Sequence, residues 1–258
     1  MSVHADHWHQ PPAPLVLDDK EVHVWRARLD VPAPRLHQYE EVLSEDEMAR
    51  ARKFRFPVHR DRFVSRRAVL RRLLGGYLQV SPADVTLENT EFGKPVLARH
   101  HDTDLRFNLS VSEDLALYAI TRGRDVGVDL EHIKPAVSDE SVPEQFFAAH
   151  EVAMLRAIPK AHQPAAFFDC WVRKEAYIKA RGMGLSLALD SFEVSFGDAE
   201  PARLLRTAPD PEEAGRWTMV ALYPAPSHAA ALVVAGQAWT LRRWNWSWMT
   251  GKDDHRLG

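Results

Sequence analysis

Sulfur chemistry is almost missing from this chain: Cys170 is the single cysteine in 258 residues. No internal disulfide can form, and a position beside Trp171 on an apolar helix face marks a core residue rather than a nucleophile. An excess of one charge is missing too. The formal net charge of -3 predicts no general affinity for nucleic acid or for a membrane surface. No apolar run approaches the length of a bilayer span, and the N-terminus lacks the basic-then-apolar order of a secretory signal. The cytoplasm is the expected compartment. With 45% hydrophobic residues, the chain can bury one large core or two small ones.

What is present begins quietly. Residues 1–20 carry His4, His7, His9 and the run PPAP without helical or strand periodicity, which reads as a mobile tail. Val22, Val24 and Trp25 suggest a first strand, ended by Pro32 and Pro34. Ser44 to Glu47 form a capping box, with Leu43 and Met48 spaced for a hydrophobic staple, so a helix starts near 45 and stops before Pro57. A second helix follows over about 58–79, with Phe63, Leu70, Leu73, Leu74 and Tyr77 on its buried side. Basic residues crowd these two helices, among them Arg50, Lys53, Arg62, Arg66, Arg67 and Arg71. A solvated helix face is the plain reading. A nucleic-acid surface finds no aromatic interleaving or motif to support it, whereas an anionic ligand or an acidic partner would use such an excess.

The strongest chemical signal lies further on. If WVRKEAYIKARGMGL, from Trp171 to Leu185, is helical, residues four apart share a face, so Trp171, Glu175 and Lys179 form a row. Lys174 then lies about 100° around from Glu175. In VGVDLEHI, from Val126 to Ile133, Val126, Val128 and Leu130 alternate with Gly127, Asp129 and Glu131, a strand that puts both acids on one face. Side by side, two carboxylates repel each other unless a cation lies between them. Asp129, Glu131 and Glu175 therefore suggest a hard divalent cation, Mg2+, with lysines placed for the phosphate oxygens such a metal also binds. Each piece alone has a plainer reading, an exposed polar strand face or a salt-bridged helix surface. A Mg2+-dependent nuclease or another phosphotransferase could also use these acids and arginines.

Taken together, GVDLE followed by WxxKExxxKxxGxGL resembles the 4'-phosphopantetheinyl transferases of the surfactin-synthetase-activating (Sfp) type. The resemblance extends to GKP at 93–95, FNLS at 107–110 and LSLALDSFEV at 185–194, and covers roughly residues 45 to 235. It implies an α+β fold of two similar lobes related by a pseudo-twofold, each with helices packed on a small antiparallel sheet, and a nucleotide in the cleft between them. The lobes would span 21–122 and 123–238, after the tail 1–20 and before a tryptophan-rich extension at 239–258 that either packs back or meets a partner. The implied activity moves the 4'-phosphopantetheine arm of coenzyme A to a serine of an apo acyl or peptidyl carrier protein, releasing 3',5'-ADP.

By that resemblance Arg62 grips the 3'-phosphate, and Arg50 or Lys53 reaches the pyrophosphate. Gly93, Lys94 and Pro95 lie along the adenine, and Ser110 is near the 3'-phosphate. Lys174 or Lys179 meets the pyrophosphate, Asp129 and Glu131 hold the metal, and Glu175 is the third ligand or the base. Glu151 matches a position that is often acidic in the family, although an exposed helical glutamate reads equally well. One departure stands out: where the family has FNxSHS, this chain has Val111 in place of histidine, and valine offers no hydrogen bond. That leaves a second reading, a degenerate carrier-binding module without catalysis. The implied partner is an apo carrier protein presenting an acidic helix, and a chain with both lobes can work as a monomer.

Overall fold

In the computed structural model, described for residues 6–134, 141–197, 201–208 and 210–247, the chain runs as follows. It opens with β1 (Glu21–Arg28), α1 (Ala33–Glu40), α2 (Glu45–Ala51) and α3 (Pro57–Leu78). The short hairpin β2 (Leu87–Asn89) and β3 (Pro95–Leu97) comes next, then the long strands β4 (Leu105–Ser112), β5 (Leu115–Arg122) and β6 (Val126–His132). After these come α4 (Val142–Phe146), α5 (Ala149–Ala157), α6 (Gln163–Arg181), β7 (Phe192–Val194), β8 (Leu204–Thr207), β9 (Trp217–Leu222), β10 (His228–Ala235) and β11 (Thr240–Asn245).

Two sheets carry the architecture, in the orders β11-β1-β5-β4 and β6-β10-β9. The inner strands β5 (LALYAITR) and β10 (HAAALVVA) are nearly continuous runs of apolar residues because both their faces are covered. Val22, Val24, Leu115, Leu117 and Ala119 of the first sheet meet Val126, Val128, Leu130, Leu232 and Val234 of the second in a central core. The alternate residues point outward. Trp25, Ala27, Tyr118 and Ile120 pack under α3, and Ala231 and Val233 pack under α6. The order is helix, sheet, sheet, helix, which places this α+β chain in two lobes joined face to face. The lobes share a plan, a long helix outside a sheet, but differ in strand order.

Several elements follow from local chemistry. The capping box expected at Ser44 is formed, with the Glu47 N–H donating to Ser44 Oγ and the Ser44 N–H donating to Glu47 Oε2. Pro34 does not merely end a strand: it stands in the first turn of α1, where its missing N–H is not needed. Between β5 and β6 the chain turns through Gly123 at φ +60, and Thr121 Oγ1 donates to the Arg124 carbonyl at 2.7 Å. This turn carries the chain from one sheet to the other.

The N-terminal end differs from expectation, and the C-terminal one packs back, but as a strand. The tail is packed from residue 6 onward: Trp8 and Leu17 are buried, and Asp6 accepts from the Tyr223 N–H at 2.6 Å. His4 lies outside the described residues. At the other end, β11 is no extension but the edge strand of the first sheet, pairing parallel to β1 from Glu21 with Thr240 to Arg26 with Asn245. That sheet is therefore mixed, because Trp244 and Trp246 pack on the core under α3 rather than face a partner. Trp248 lies outside the described residues.

Gly127 fixes how α6 lies on the second sheet. A Cβ there would stand 2.1 Å from the Ala176 carbonyl oxygen and 2.3 Å from the Ala180 nitrogen, so only glycine lets the helix backbone approach this closely. Gly127→Ala should push α6 off the strand, costing about 1–3 kcal/mol of stability. Thermal melts and steady-state transfer rates of that variant check the point; unchanged values for both would show that the contact is not needed.

Candidate functional site

The site lies at the seam where β4 of the first sheet runs beside β6 of the second. Side chains rather than backbone close this seam. Along β4, Asn108, Ser110 and Ser112 are two residues apart and share one face. Asn108 Oδ1 accepts from the Val128 N–H at 2.9 Å, Ser110 Oγ donates to Asp129 Oδ1 at 2.8 Å, and Ser112 Oγ donates to Glu131 Oε2 at 3.0 Å. The two acids of the VGVDLEHI strand are thus held from the neighbouring lobe, and α6 covers them because Gly127 lets it come close.

Two hollows meet here. The smaller, about 400 Å³, has Asp129 and Glu131 at its floor and Glu175 and Lys179 of α6 on one wall. Arg66 and Val111 also line it. The larger, about 770 Å³, opens between the basic helices α2 and α3, the loop of the β2–β3 hairpin and the end of α6. Arg66, Leu109, Glu175 and Lys179 line both.

Charge in the smaller hollow is unbalanced. Lys179 Nζ stands 2.5 Å from Asp129 Oδ1 and 3.0 Å from Ser110 Oγ. Asp129 is 3% exposed, and its second oxygen, Oδ2, is buried without a hydrogen-bond partner. Burial and then the charge of Asp129 push the carboxyl of Glu131 above its ordinary range, and the same two causes in the same order raise Glu175. Three carboxylates thus face one ammonium group. Among the described residues no three ligating side chains converge tightly enough to form a preassembled metal cluster. Asp129, Glu131 and Glu175 share the hollow as neighbours.

Around the larger hollow, Gly93, Lys94 and Pro95 form part of the lining, as does Phe92. The Lys94 ammonium, however, is turned into the opposite lobe, donating to the carbonyls of Val126 at 3.2 Å and Lys179 at 2.7 Å. Glu47, the capping-box residue, also anchors α3: Arg71 Nε donates to it at 2.6 Å and Arg67 Nε at 2.5 Å.

Sequence profiles of known families match the chain in two parts. The N-terminal 4'-phosphopantetheinyl transferase profile covers residues 32–122, and the 4'-phosphopantetheinyl transferase superfamily profile covers residues 125–233. The 4'-phosphopantetheinyl transferase HetI of Nostoc sp. is 40% identical over 240 residues, 93% of this chain and 98% of its own length. This chain belongs to the 4'-phosphopantetheinyl transferase superfamily. The transferase Sfp of Bacillus subtilis is 34% identical over 164 residues, 59% of this chain and 71% of that protein. A solved holo-[acyl-carrier-protein] synthase of Thermotoga maritima matches 44% of this chain and 63% of its own with 20% identity and a TM-score of 0.35, a likeness too distant to bear on the fold.

As a phosphopantetheinyl transferase the chain takes coenzyme A as co-substrate and modifies apo carrier proteins. Nothing in these relationships supports the degenerate module.

The placement of several expected site residues changes. Lys174 does not reach the cleft. It is fully buried, 2.7 Å from Glu151 Oε2, and donates to the carbonyls of Leu189 and Phe192, because it points to the side of α6 turned away from Glu175. Glu151, far from being exposed, is 1% exposed and also accepts from the N–H groups of Ala148 and Val194. Arg62 lines neither hollow. Its guanidinium forks onto Asp30 at 2.7 and 2.8 Å. Lys53 is exposed and lines neither hollow, whereas Arg50 lines the larger one. Ser110 is engaged by Asp129 and Lys179, so its first role is to orient the acid.

Sequence reasoning passed over Arg66 and Phe92. Arg66 is one of nine arginines between residues 45 and 79, and only the fold distinguishes it as the one that lines both hollows.

Proposed function

We propose that this phosphopantetheinyl transferase is Mg2+-dependent, with Asp129, Glu131 and Glu175 holding the ion, and that it works as a cytoplasmic monomer on a carrier protein presenting an acidic helix. The orphaned Oδ2 of buried Asp129, flanked by two carboxyls that burial and mutual repulsion raise, is the observation that carries the metal assignment. Hard oxygen donors suit Mg2+, which is held by carboxylates along with substrate phosphates. When bound, the ion supplies Lewis-acid neutralisation of the pyrophosphate.

The chain's own residues supply the rest. The larger hollow falls within the size range of small-molecule and cofactor sites and takes the nucleotide end of coenzyme A along Gly93 and Pro95. Lys179, carried on α6 beside Asp129, places positive charge where negative charge grows on the departing 3',5'-ADP. Glu175, one of the three carboxylates around the ion, is also placed to accept the proton of the carrier serine, directly or through water. The serine oxygen forms the new bond to phosphorus, the bond from that phosphorus to 3',5'-ADP breaks, and the serine proton goes to the carboxylate.

Intact-mass spectrometry tests this reading. Purified protein is incubated with coenzyme A and apo carrier proteins of several pathways, with Mg2+ or with a chelator. A carrier should gain the mass of one phosphopantetheine arm only with Mg2+. Full transfer in the chelator would remove the metal from the reaction.

A further inference from the structure

Resting on that reading, one arrangement in the cleft goes further. Phe63 of α3 is 3% exposed, and two guanidinium groups lie over its ring, Arg66 at 4.9 Å and Arg50 at 5.5 Å from the centroid. Four arginines of α2 and α3 line the larger hollow. Arg67 and Arg71 are bound by Glu47. Arg50 and Arg66 have no carboxylate and no hydrogen-bond acceptor for their side chains among the described residues. Stacking on an aromatic face holds a guanidinium in place while leaving its N–H edge available.

Two cations kept side by side in this way repel each other. Burial, followed by the charges of neighbouring Arg67 and Arg50, lowers the Arg66 guanidinium from its usual value. An anion between or beside them relieves that repulsion. Arg66 is also the basic residue of α3 that lines both hollows, and Val111, which also lines the smaller one, offers an anion nothing.

We infer that Arg66, held against Phe63 with Arg50, is a phosphate-binding residue for coenzyme A, a role that Arg62, tied to Asp30, does not fill. A phosphate oxygen of the co-substrate seats on its N–H edge. The phosphate is either the 3'-phosphate or part of the pyrophosphate, two sources of the same chemistry.

Calorimetric titration of the full-length protein with coenzyme A, 3'-dephospho-coenzyme A and 3',5'-ADP, in excess Mg2+ and at fixed salt, separates these cases. Loss of a charge-assisted contact predicts that Arg66→Ala binds coenzyme A about tenfold or more weakly. Arg66→Lys should recover part of the loss, and Arg62→Ala should bind like the wild type. If the 3'-phosphate is the ligand, the Arg66→Ala penalty vanishes with 3'-dephospho-coenzyme A; if the pyrophosphate is, the penalty persists with it. Wild-type affinity in a folded Arg66→Ala protein, or in Arg66→Gln should the alanine variant melt early, would overturn the inference. If the wild type bound none of the three nucleotides, the functional reading would fall first, a result distinct from an unaffected variant.

Discussion

Glu175→Gln is expected to abolish measurable transfer and, at neutral pH without metal, to raise the melting temperature. The loss follows from chemistry. Glutamine keeps the shape but accepts no proton and carries no charge, and general-base catalysis alone contributes about 10²–10⁴-fold. The gain in stability follows from the direction of the Glu175 shift. Its carboxyl is raised in the folded protein by burial and by Asp129, so the folded state favours the protonated form. That contribution is fully present below the ordinary glutamate pKa of 4.5 and is lost as pH rises through the raised value. At neutral pH the ionised carboxylate therefore weakens the fold, and the amide removes the cost. Added Mg2+ should stabilise the wild type more at neutral pH than at pH 4–5, and should stabilise Glu175→Gln less. Melting curves with and without Mg2+ at both pH values, beside the mass assay, check all of this. Near-normal transfer by the variant would sink the role given to Glu175, and a lowered melting temperature at neutral pH would contradict its electrostatics.

One position earlier on the same helix, Lys174→Met should behave in the opposite way. Its ammonium is the cation for a glutamate that is itself 1% exposed, and it ties α6 to α5 and to the chain around Leu189 and Phe192. Removing one member of a buried pair leaves the other charged and unpaired, at a cost of about 3–5 kcal/mol. Denaturant unfolding of Lys174→Met, of Glu151→Gln and of the double variant measures it. The double variant should recover much of the loss, because a neutral pair has no orphaned charge. Wherever the protein remains folded, the Michaelis constant for coenzyme A should stay near the wild-type value. A raised constant with unchanged stability would return Lys174 to the cleft.

Adjacent residues with opposite behaviour show where the sequence could be read and where it could not. Periodicity placed Asp129 and Glu131 on one strand face and Glu175 and Lys179 on one helix face, and the fold brings the four into one hollow. The long helices, the hairpin of β4 and β5 and the capping box at Ser44 were equally legible, since each depends on neighbours in sequence. Lys174 was not. Whether a residue about 100° around a helix faces the substrate or the core depends on what packs on that side, here α5 and Glu151. Arg62 and Arg66 stand four apart on α3, and only the positions of Asp30 and Phe63 decide which is tied down and which is offered to the cleft. The N-terminal residues were misread, and β11, though its tryptophans pack back on a lobe as one reading had it, was not recognised as a strand. Each lacks strong periodicity alone: β11 takes its structure from β1, and the N-terminal residues lean on β11 in turn, as when the His9 N–H donates to the Arg243 carbonyl and the Asn245 N–H donates to the His9 carbonyl.

The pairing of β1 with β11 governs how the protein can be made. As the chain leaves the ribosome, β1 emerges early and finds β5 soon after, but its other edge stays open until residue 240 has been added. An open strand edge is a template for pairing with other chains, so the first lobe remains exposed to wrong partners throughout synthesis of the second. For the same reason a cut at the Gly123 turn would not yield an independent N-terminal half.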